Sequence, residues 1–184
     1  MKRPSFIEGA GVALLLAVAA GIGLPGLTWL LGAGTAARAL TALLALAYLI
    51  YLLGRSSERA GRAVVLVLWT LIAALLWISG LPLSIYLLAH LALAWLVRVL
   101  YFHPGPLAAL ADLGLTGAAL VAAVGTYLHT ESPALSVWCL FLVQALFVLI
   151  PVRARPGAAD PQEDRFERAH RNAETAVRRL SADL

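Results

Sequence analysis

Long apolar runs, separated by short segments rich in charge, proline or glycine, dominate the pattern of the chain. A helix needs about 20 mostly apolar residues to cross about 30 Å of hydrocarbon, and six runs approach that length. The pattern therefore predicts an all-α, polytopic membrane helix bundle of about six transmembrane helices, arranged as three hairpins. The predicted helices are Phe6 to Leu24, Thr35 to Leu53, Ala63 to Ser79, Leu83 to Tyr101, Leu107 to Leu128 and Pro133 to Ile150.

Proline marks the turn of each predicted hairpin. Pro25, Pro82 and Pro133 stand where a helix stops or starts, because proline lacks the backbone N–H. The first belongs to GIGLPG, Gly21 to Gly26, which also spells the glycine pattern of a dinucleotide-binding loop. That function needs a preceding strand and an acidic residue about 20 residues further on. Here a Leu/Ala/Val run precedes the glycines and no acid follows before Glu58, so we interpret the stretch as a helix end.

The segment after Pro25, GLTWLLGAG, leaves alternatives open. It is too short to span a bilayer, so it can be interfacial, re-entrant or part of the second helix. The first apolar run also resembles a signal peptide, because Lys2 and Arg3 precede it. Glu8 interrupts that basic region and no clear cleavage site follows, so we expect a retained first helix.

Composition and the placement of arginine predict where the protein lies. The chain is 61% hydrophobic and 13% charged, with a mean hydropathy of +0.87, whereas soluble domains have roughly 45–50% apolar and 25% charged residues. Arginines gather at alternate loops, whereas the loops at the three prolines carry none; Arg38 is the exception. Short cytoplasmic loops retain positive charge, so both termini are predicted to be cytoplasmic. The arginine-rich, lysine-poor composition suggests a bacterial inner membrane.

Few polar side chains interrupt the apolar runs, and a charge in hydrocarbon is a functional-site hypothesis by default. Arg98 and Asp112 lie at matched depth in the fourth and fifth helices, since each is about 7–9 Å from the shared turn at a 1.5 Å rise per residue. We expect an ion pair that pins this hairpin, or an Arg98 that extends to the headgroups. The alternative is a proton or ion path through helices four to six, with these further members: Tyr86, His90, Thr116 and Gln144.

Apart from the glycine pattern at Gly21 to Gly26, whose context does not fit a nucleotide, sequence motifs for catalysis or cofactor binding do not occur. There is no His-Glu-x-x-His, Gly-x-Ser-x-Gly or Walker loop, although each would be readable from sequence. The single cysteine, Cys139, offers neither an intrachain disulfide nor a metal-ligand set. We therefore expect no catalytic site, no metal and no cofactor.

The composition changes abruptly after Pro151, so residues 1–151 and 152–184 are predicted to be a membrane domain and a charged cytoplasmic tail. Asp160 and Pro161 are typical of an N-cap and a first helical residue, and the predicted amphipathic helix covers about 161–181. Its narrow, alanine-rich apolar stripe consists of Phe166, Ala169, Ala173, Val177 and Leu180. The stripe favours docking on a protein partner or self-association over a lipid surface; a solvated, partly frayed tail is the alternative. Nucleic acid is not an expected partner, because basic residues and aromatics do not share one face.

These features favour a non-enzymatic accessory or scaffold subunit of a membrane complex, with the lipid bilayer and a protein as its partners. The alternative is a small transporter or channel with a polar path through helices four to six. One structural observation separates the two. A transporter needs a hydrated cavity lined by the polar residues, whereas a scaffold needs a dry bundle in which Arg98 and Asp112 touch.

Overall fold

The computed structural model describes residues 5–55, 61–102 and 105–149, together with residues 169, 170, 172 and 174. Within these residues the fold contains six α-helices and no strand. The helices are α1 Phe6–Leu31, α2 Ala33–Arg55, α3 Arg62–Ile78, α4 Leu83–Phe102, α5 Pro106–Thr130 and α6 Pro133–Ala145. A 3₁₀ turn, Leu146–Leu149, continues α6. The predicted all-α membrane bundle is confirmed.

Four of the helices, α1, α2, α4 and α5, are long and apolar enough to cross a membrane. Two shorter apolar segments, Arg62–Ile78 and Pro133–Leu149, accompany them. The chain divides into two compact units, Met1–Pro151 and Val152–Leu184. Most of the predicted tail helix lies outside the described residues, including Phe166, Ala173, Val177 and Leu180. The four described tail residues, Ala169 among them, are helical and exposed.

The predicted turn at Pro25 is wrong, because α1 continues through this proline to Leu31. Proline removes a single intrahelical hydrogen bond, whereas ending the helix in lipid would leave several backbone groups without partners. Leu27, beyond the proline, packs against the core, as does Leu24 just before the proline, and these contacts stabilise the extension. The chain turns instead at Gly32, whose φ of 80° is a conformation that favours glycine. Gly26 to Leu31 is therefore the end of α1, an outcome outside the three alternatives, and only Ala33 and Gly34 of this segment belong to α2.

The other two predicted turns occur where the sequence places them. Pro82 directly precedes α4, after a turn in which Gly80 has a φ of 65°. Pro133 is the first residue of α6, and the Ser132 hydroxyl accepts a hydrogen bond from the Leu135 N–H. Both positions suit a residue that has no N–H to donate.

Successive helices are antiparallel, so the bundle has two distinct ends. Glu8, early in α1, pairs with Arg55 at the end of α2, and Gly9 faces Ala145 at the end of α6. We call this end the arginine side. The opposite end, with the turns at Gly32, Pro82 and Pro133, we call the proline side.

Helix α2 is the centre of the core. One of its faces packs with α1 and the 3₁₀ turn in a first apolar cluster: Leu16, Ala20, Leu40, Leu44, Tyr48, Leu52 and Phe147. The other face packs with α3 and α4 in a second cluster: Leu49, Leu53, Trp69, Ala73 and Val97. Because α2 touches both groups, it fixes the position of α4 relative to α1 and α6.

Small residues allow α1 and α6 to approach closely. A Cβ atom built on Gly9 would lie 2.8 Å from the Ala145 Cβ, and one on Gly21 would lie 3.3 Å from the Ala134 Cβ. Ala13 and Ala20, between these two points on α1, are completely buried. Close backbone approach through small residues is the usual way in which membrane helices pack.

Candidate functional site

A buried arginine connects four helices on the arginine side of the bundle. The Arg98 side chain of α4 is 0% exposed, and its guanidinium donates to four side chains. Nε donates to Asp112 Oδ2 at 3.1 Å, Nη2 to Thr116 Oγ1 at 2.6 Å, and Nη1 to Tyr48 and Gln144 oxygens at 3.2 and 3.0 Å. We call these five residues the Arg98 cluster. Its partners come from α2, α5 and α6.

The elements around Arg98 explain why a charge persists there. Asp112 is also 0% exposed and supplies the compensating negative charge, which a buried cation needs. Thr116 accepts from Arg98 and donates its own hydroxyl to the Asp112 carbonyl at 2.8 Å. The Phe147 ring lies 5.9 Å from the guanidinium carbon. Four of the five guanidinium N–H groups thus have protein acceptors, which holds the planar group in one orientation.

Tyr86 and His90, predicted from sequence to extend a path towards Arg98, form a separate group. Their rings lie 4.3 Å apart, and the His90 ring meets the edge of Trp69 at 5.8 Å. His90 Nδ1 lies 2.9 Å from the Tyr86 carbonyl oxygen; since a carbonyl can only accept, Nδ1 carries the proton. The Arg38 guanidinium lies 5.6 Å from the Tyr86 ring centroid. In the described part of the chain, no hydrogen bond joins this group to the Arg98 cluster.

Helix geometry accounts for the separation. Four-residue steps overshoot a turn of 3.6 residues by about 40° each. From Arg98 back to His90 the drift is about 80°, and to Tyr86 it is about 120°. His90 and Tyr86 consequently turn towards the tryptophans of α3, whereas Arg98 faces α5 and α6. The sequence pattern places the residues on one broad side of α4 but does not make them one path.

A cavity of about 510 Å³ lies on the proline side of the Arg98 cluster. Its wall is built by Leu24 of α1 and by residues of α2, α4, α5 and α6. The latter include Thr41, Leu44, Tyr48, Leu87, His90, Leu91, Ala94, Leu120, Ala123, Val124, Ser136, Leu140 and Gln144. We call it the α4–α5 cavity, because those helices flank its opening. Tyr48 and Gln144 belong to both its wall and the Arg98 cluster.

The threonine and serine hydroxyls of the cavity wall are satisfied within their own helices. Thr41 donates to the Ala37 carbonyl at 2.8 Å, and Ser136 donates to the Ser132 carbonyl at 3.0 Å. Thr126 of α5, outside the cavity wall, donates to the Ala122 carbonyl at 2.8 Å in the same way. Such bonds to the residue one turn earlier hide the hydroxyl from the bundle interior. The cavity therefore presents a mainly hydrocarbon surface.

The sequence misses two members of the site. Tyr48 lies 50 residues before Arg98, and only the packing of α2 beside α4 brings its hydroxyl to the guanidinium. Phe147 belongs to the 3₁₀ turn, where the sequence pattern predicts continuous helix. Tyrosine within an apolar helix is a signal for a buried polar contact, but it does not identify the partner.

Among the described residues, no group of three or more His, Cys, Asp or Glu side chains could hold a metal ion. Comparison with known proteins finds no matching family model, no significantly similar curated sequence and no significantly similar solved structure.

Proposed function

We propose that the protein is a non-enzymatic, six-pass accessory or scaffold subunit of a bacterial inner-membrane complex. Its helical bundle forms a stable platform in the bilayer, and its C-terminal helix docks a partner protein. The observation that carries the first half of this proposal is the Arg98 cluster. The second half rests on the amphipathic pattern of the tail.

The Arg98 cluster supports a static platform over an ion path. A group that carries protons or ions needs water or a mobile partner, whereas Arg98 is fully buried and held by four side chains from three other helices. The neighbouring cavity has a largely apolar wall, which does not hydrate readily. The polar residues proposed for a path are divided between two groups. Each of these features favours a lock between helices.

Reconstitution in vesicles tests the platform directly. Vesicles with the purified protein are expected to dissipate an imposed proton or potassium gradient no faster than empty vesicles, read with a pH-sensitive or potential-sensitive dye. Arg98→Met and His90→Phe serve as matched variants. A leak present in the wild type and lost in both variants would favour the transporter alternative.

We expect both termini to be cytoplasmic, because arginines gather at the loops of the arginine side and short cytoplasmic loops retain positive charge. In a Cys139→Ser background, single cysteines at Ser84 and His129, both exposed on the proline side, should react with an impermeant thiol reagent in spheroplasts. A cysteine at Ser57, in the arginine-rich loop, should react only after lysis. The opposite pattern would invert the orientation.

The docking helix is tested by comparing two faces of the tail. Replacing Phe166, Val177 and Leu180 together by serine removes the predicted apolar stripe, while serines at His170 and Glu174, both exposed, serve as the matched control. Crosslinking in intact cells should lose a defined adduct with the first set and keep it with the second. Deletion of residues 160–184 should abolish the adduct and leave a monodisperse bundle in detergent. Retention of the adduct in the deleted protein would refute docking through the tail.

A further inference from the structure

We propose that the α4–α5 cavity is a binding site for the hydrocarbon chain of a membrane lipid, which enters sideways from the leaflet on the proline side. The cavity volume of about 510 Å³ lies within the range of roughly 300–1,000 Å³ that is typical of ligand sites. This inference goes beyond the scaffold function, since it depends on the bundle and not on the tail. Four steps support it.

The chemistry of the wall selects an apolar occupant. Leucine, valine and alanine side chains form most of the surface. The hydroxyls of Thr41 and Ser136 are bonded to their own helices, and the oxygens of Tyr48 and Gln144 are held by Arg98. His90, also in the wall, bonds through Nδ1 to the Tyr86 carbonyl, and its buried Nε2 is a single polar atom without a hydrogen-bond partner among the described residues. Water needs two to four polar partners in a buried site. Hydrocarbon needs none.

The exposure of the wall residues locates the mouth between α4 and α5. Leu87 of α4 and Val124 of α5 line the cavity and are still 44% and 50% exposed. By contrast, Leu44 and Gln144 on the opposite wall are 8% and 1% exposed. The hydrogen bonds from α4 to α5 in the described part of the chain come from Trp95 and Arg98, on the arginine side of this mouth. The opening therefore faces the lipid laterally.

The depth of the cavity matches one leaflet. Its wall on α4 extends from Leu83 to Ala94, which is about 16 Å at a 1.5 Å rise per residue. Its wall on α2, from Ala37 to Tyr48, has the same length. The hydrocarbon core measures about 30 Å, so the cavity ends near the bilayer midplane, at the Arg98 cluster.

This depth distinguishes a lipid chain from a protein segment. A transmembrane helix of a partner, or of a second copy, extends through the whole core and is about 10–12 Å wide with its side chains. On the arginine side, the Arg98 cluster joins α4 to α5 and closes the space between them. A lipid chain occupies one leaflet, is flexible, and is the solute most abundant at the mouth.

Photolabelling in vesicles tests the proposal. The full-length protein is reconstituted in phosphatidylethanolamine and phosphatidylglycerol that contain a trace of phosphatidylcholine with a diazirine in the middle of one acyl chain. Labelled peptides are mapped by mass spectrometry. We expect labelling of cavity-wall residues such as Leu91, Ala123 and Leu140, beyond that of ordinary lipid-facing positions such as Leu71.

Two variants fill the cavity, and each has a matched control on the same helix. Ala123→Phe and Ala94→Phe place a ring in the cavity, whereas Ala118→Phe and Ala92→Phe place it on exposed surface. Labelling of the α6 wall should fall severalfold in the first pair and stay unchanged in the second. The second cavity variant keeps the test intact if one substitution impairs folding. Labelling of Leu71, which is 62% exposed, should not change in any variant.

Three outcomes would overturn the proposal. The first is wall labelling no stronger than at Leu71. The second is labelling that both cavity variants leave unchanged while they remain monodisperse. The third is dependence on the headgroup, tested with a phosphatidylglycerol probe that carries the same diazirine chain, since the site is built for the chain. A photo-crosslinking amino acid placed at Leu140 checks the other occupant: a protein–protein adduct there would assign the cavity to a partner helix and would also overturn the proposal.

Discussion

The two halves of the α4–α5 hairpin differ sharply, although the same two helices build both. On the arginine side, Arg98, Asp112 and Thr116 hydrogen-bond across the hairpin. On the proline side, Leu87 and Val124 border an opening. The first half is closed and polar inside, and the second is open and apolar inside.

The difference follows from where the polar groups find their hydrogen-bond partners, on another helix or on their own. Lipid tails are as apolar as leucine, so apolar burial alone drives membrane helices together only weakly. Helices associate where polar groups must find partners on another helix, as at Arg98. Where hydroxyls bond to their own helix, as at Thr41 and Ser136, their hydrogens are not available to a neighbouring helix. The open half follows from local satisfaction of its polar groups.

Removing the charge that holds the closed half should have the largest effect. Arg98→Met leaves the Asp112 carboxylate buried without its ion pair, and we expect a loss of about 3–5 kcal/mol in the free energy of unfolding. Arg55→Met is the matched control, because the Arg55–Glu8 pair is partly exposed and such pairs contribute about 0–1 kcal/mol. Unfolding titrations in mixed micelles measure both.

A double replacement sharpens this result. Arg98→Met with Asp112→Leu removes both charges, and buried pairs replaced by apolar groups of similar size are often nearly neutral. The double variant should therefore be more stable than Arg98→Met alone. Strictly additive losses would contradict a direct interaction between the two side chains.

The second prediction compares crowding in the two halves. Ala119 is completely buried, whereas Ala123, one turn further along α5, lines the cavity. Ala119→Phe should cost about 1–3 kcal/mol or more, because the added ring has no space. Ala123→Phe should have a much smaller effect, since its ring enters the cavity. Equal losses in the same titration would mean that the open half is as tightly packed as the closed half.

The sequence accounts for the elements and for the depth of the buried charges. Apolar runs and arginine-bearing breaks identify five of the six helices closely. The 1.5 Å rise per residue predicts that Arg98 and Asp112 lie at the same depth, and in the structure Arg98 Nε lies 3.1 Å from Asp112 Oδ2. The predicted helix end at Pro25 is wrong. The rule that proline stops a helix comes from proteins in water, and it understates the cost of leaving backbone groups unpaired where a helix ends in lipid. Local pattern does not encode that cost.

Contacts between distant helices are the part that sequence reasoning could not supply. Nothing in the pattern around Tyr48 indicates that α2 will lie beside α4, and without that neighbour its hydroxyl has no predicted partner. The cavity is invisible for the same reason, since it is the space left where α4 and α5 separate. A stripe such as Thr116, Ala119 and Ala123 gives a helix face, but not whether a neighbour covers it.

The third prediction concerns the α1–α6 contact that supports both halves. Gly9→Ala brings its Cβ to 2.8 Å from that of Ala145, and neither backbone can move away easily, so we expect a loss of about 1–2 kcal/mol. Gly11→Ala is the control on the same helix, because nothing lies within 4 Å of its added Cβ. It should stabilise the helix by up to about 1 kcal/mol. Restoration of Gly9→Ala by Ala145→Gly would identify the steric contact as the cause.

The smallest predicted effect separates two tyrosines of α2. The Tyr48 hydroxyl accepts from Arg98 at 3.2 Å, whereas the buried Tyr51 hydroxyl has no hydrogen-bond partner among the described residues. Tyr48→Phe removes one acceptor from a buried cation, but Arg98 Nη1 keeps its bond to Gln144 at 3.0 Å, so the loss should be about 1 kcal/mol.

Tyr51→Phe should be neutral or slightly stabilising in the same titration, because it removes a buried polar atom that gains nothing from folding. Each change deletes a phenolic oxygen from α2, so the difference between the two losses in unfolding free energy measures the contribution of the bond to Arg98. Combining Tyr48→Phe with Arg98→Met tests this further: once the guanidinium is gone, the hydroxyl should no longer stabilise the protein. A Tyr48→Phe loss that persists in the Arg98→Met background would mean that the hydroxyl acts through another neighbour and not through its bond to Arg98.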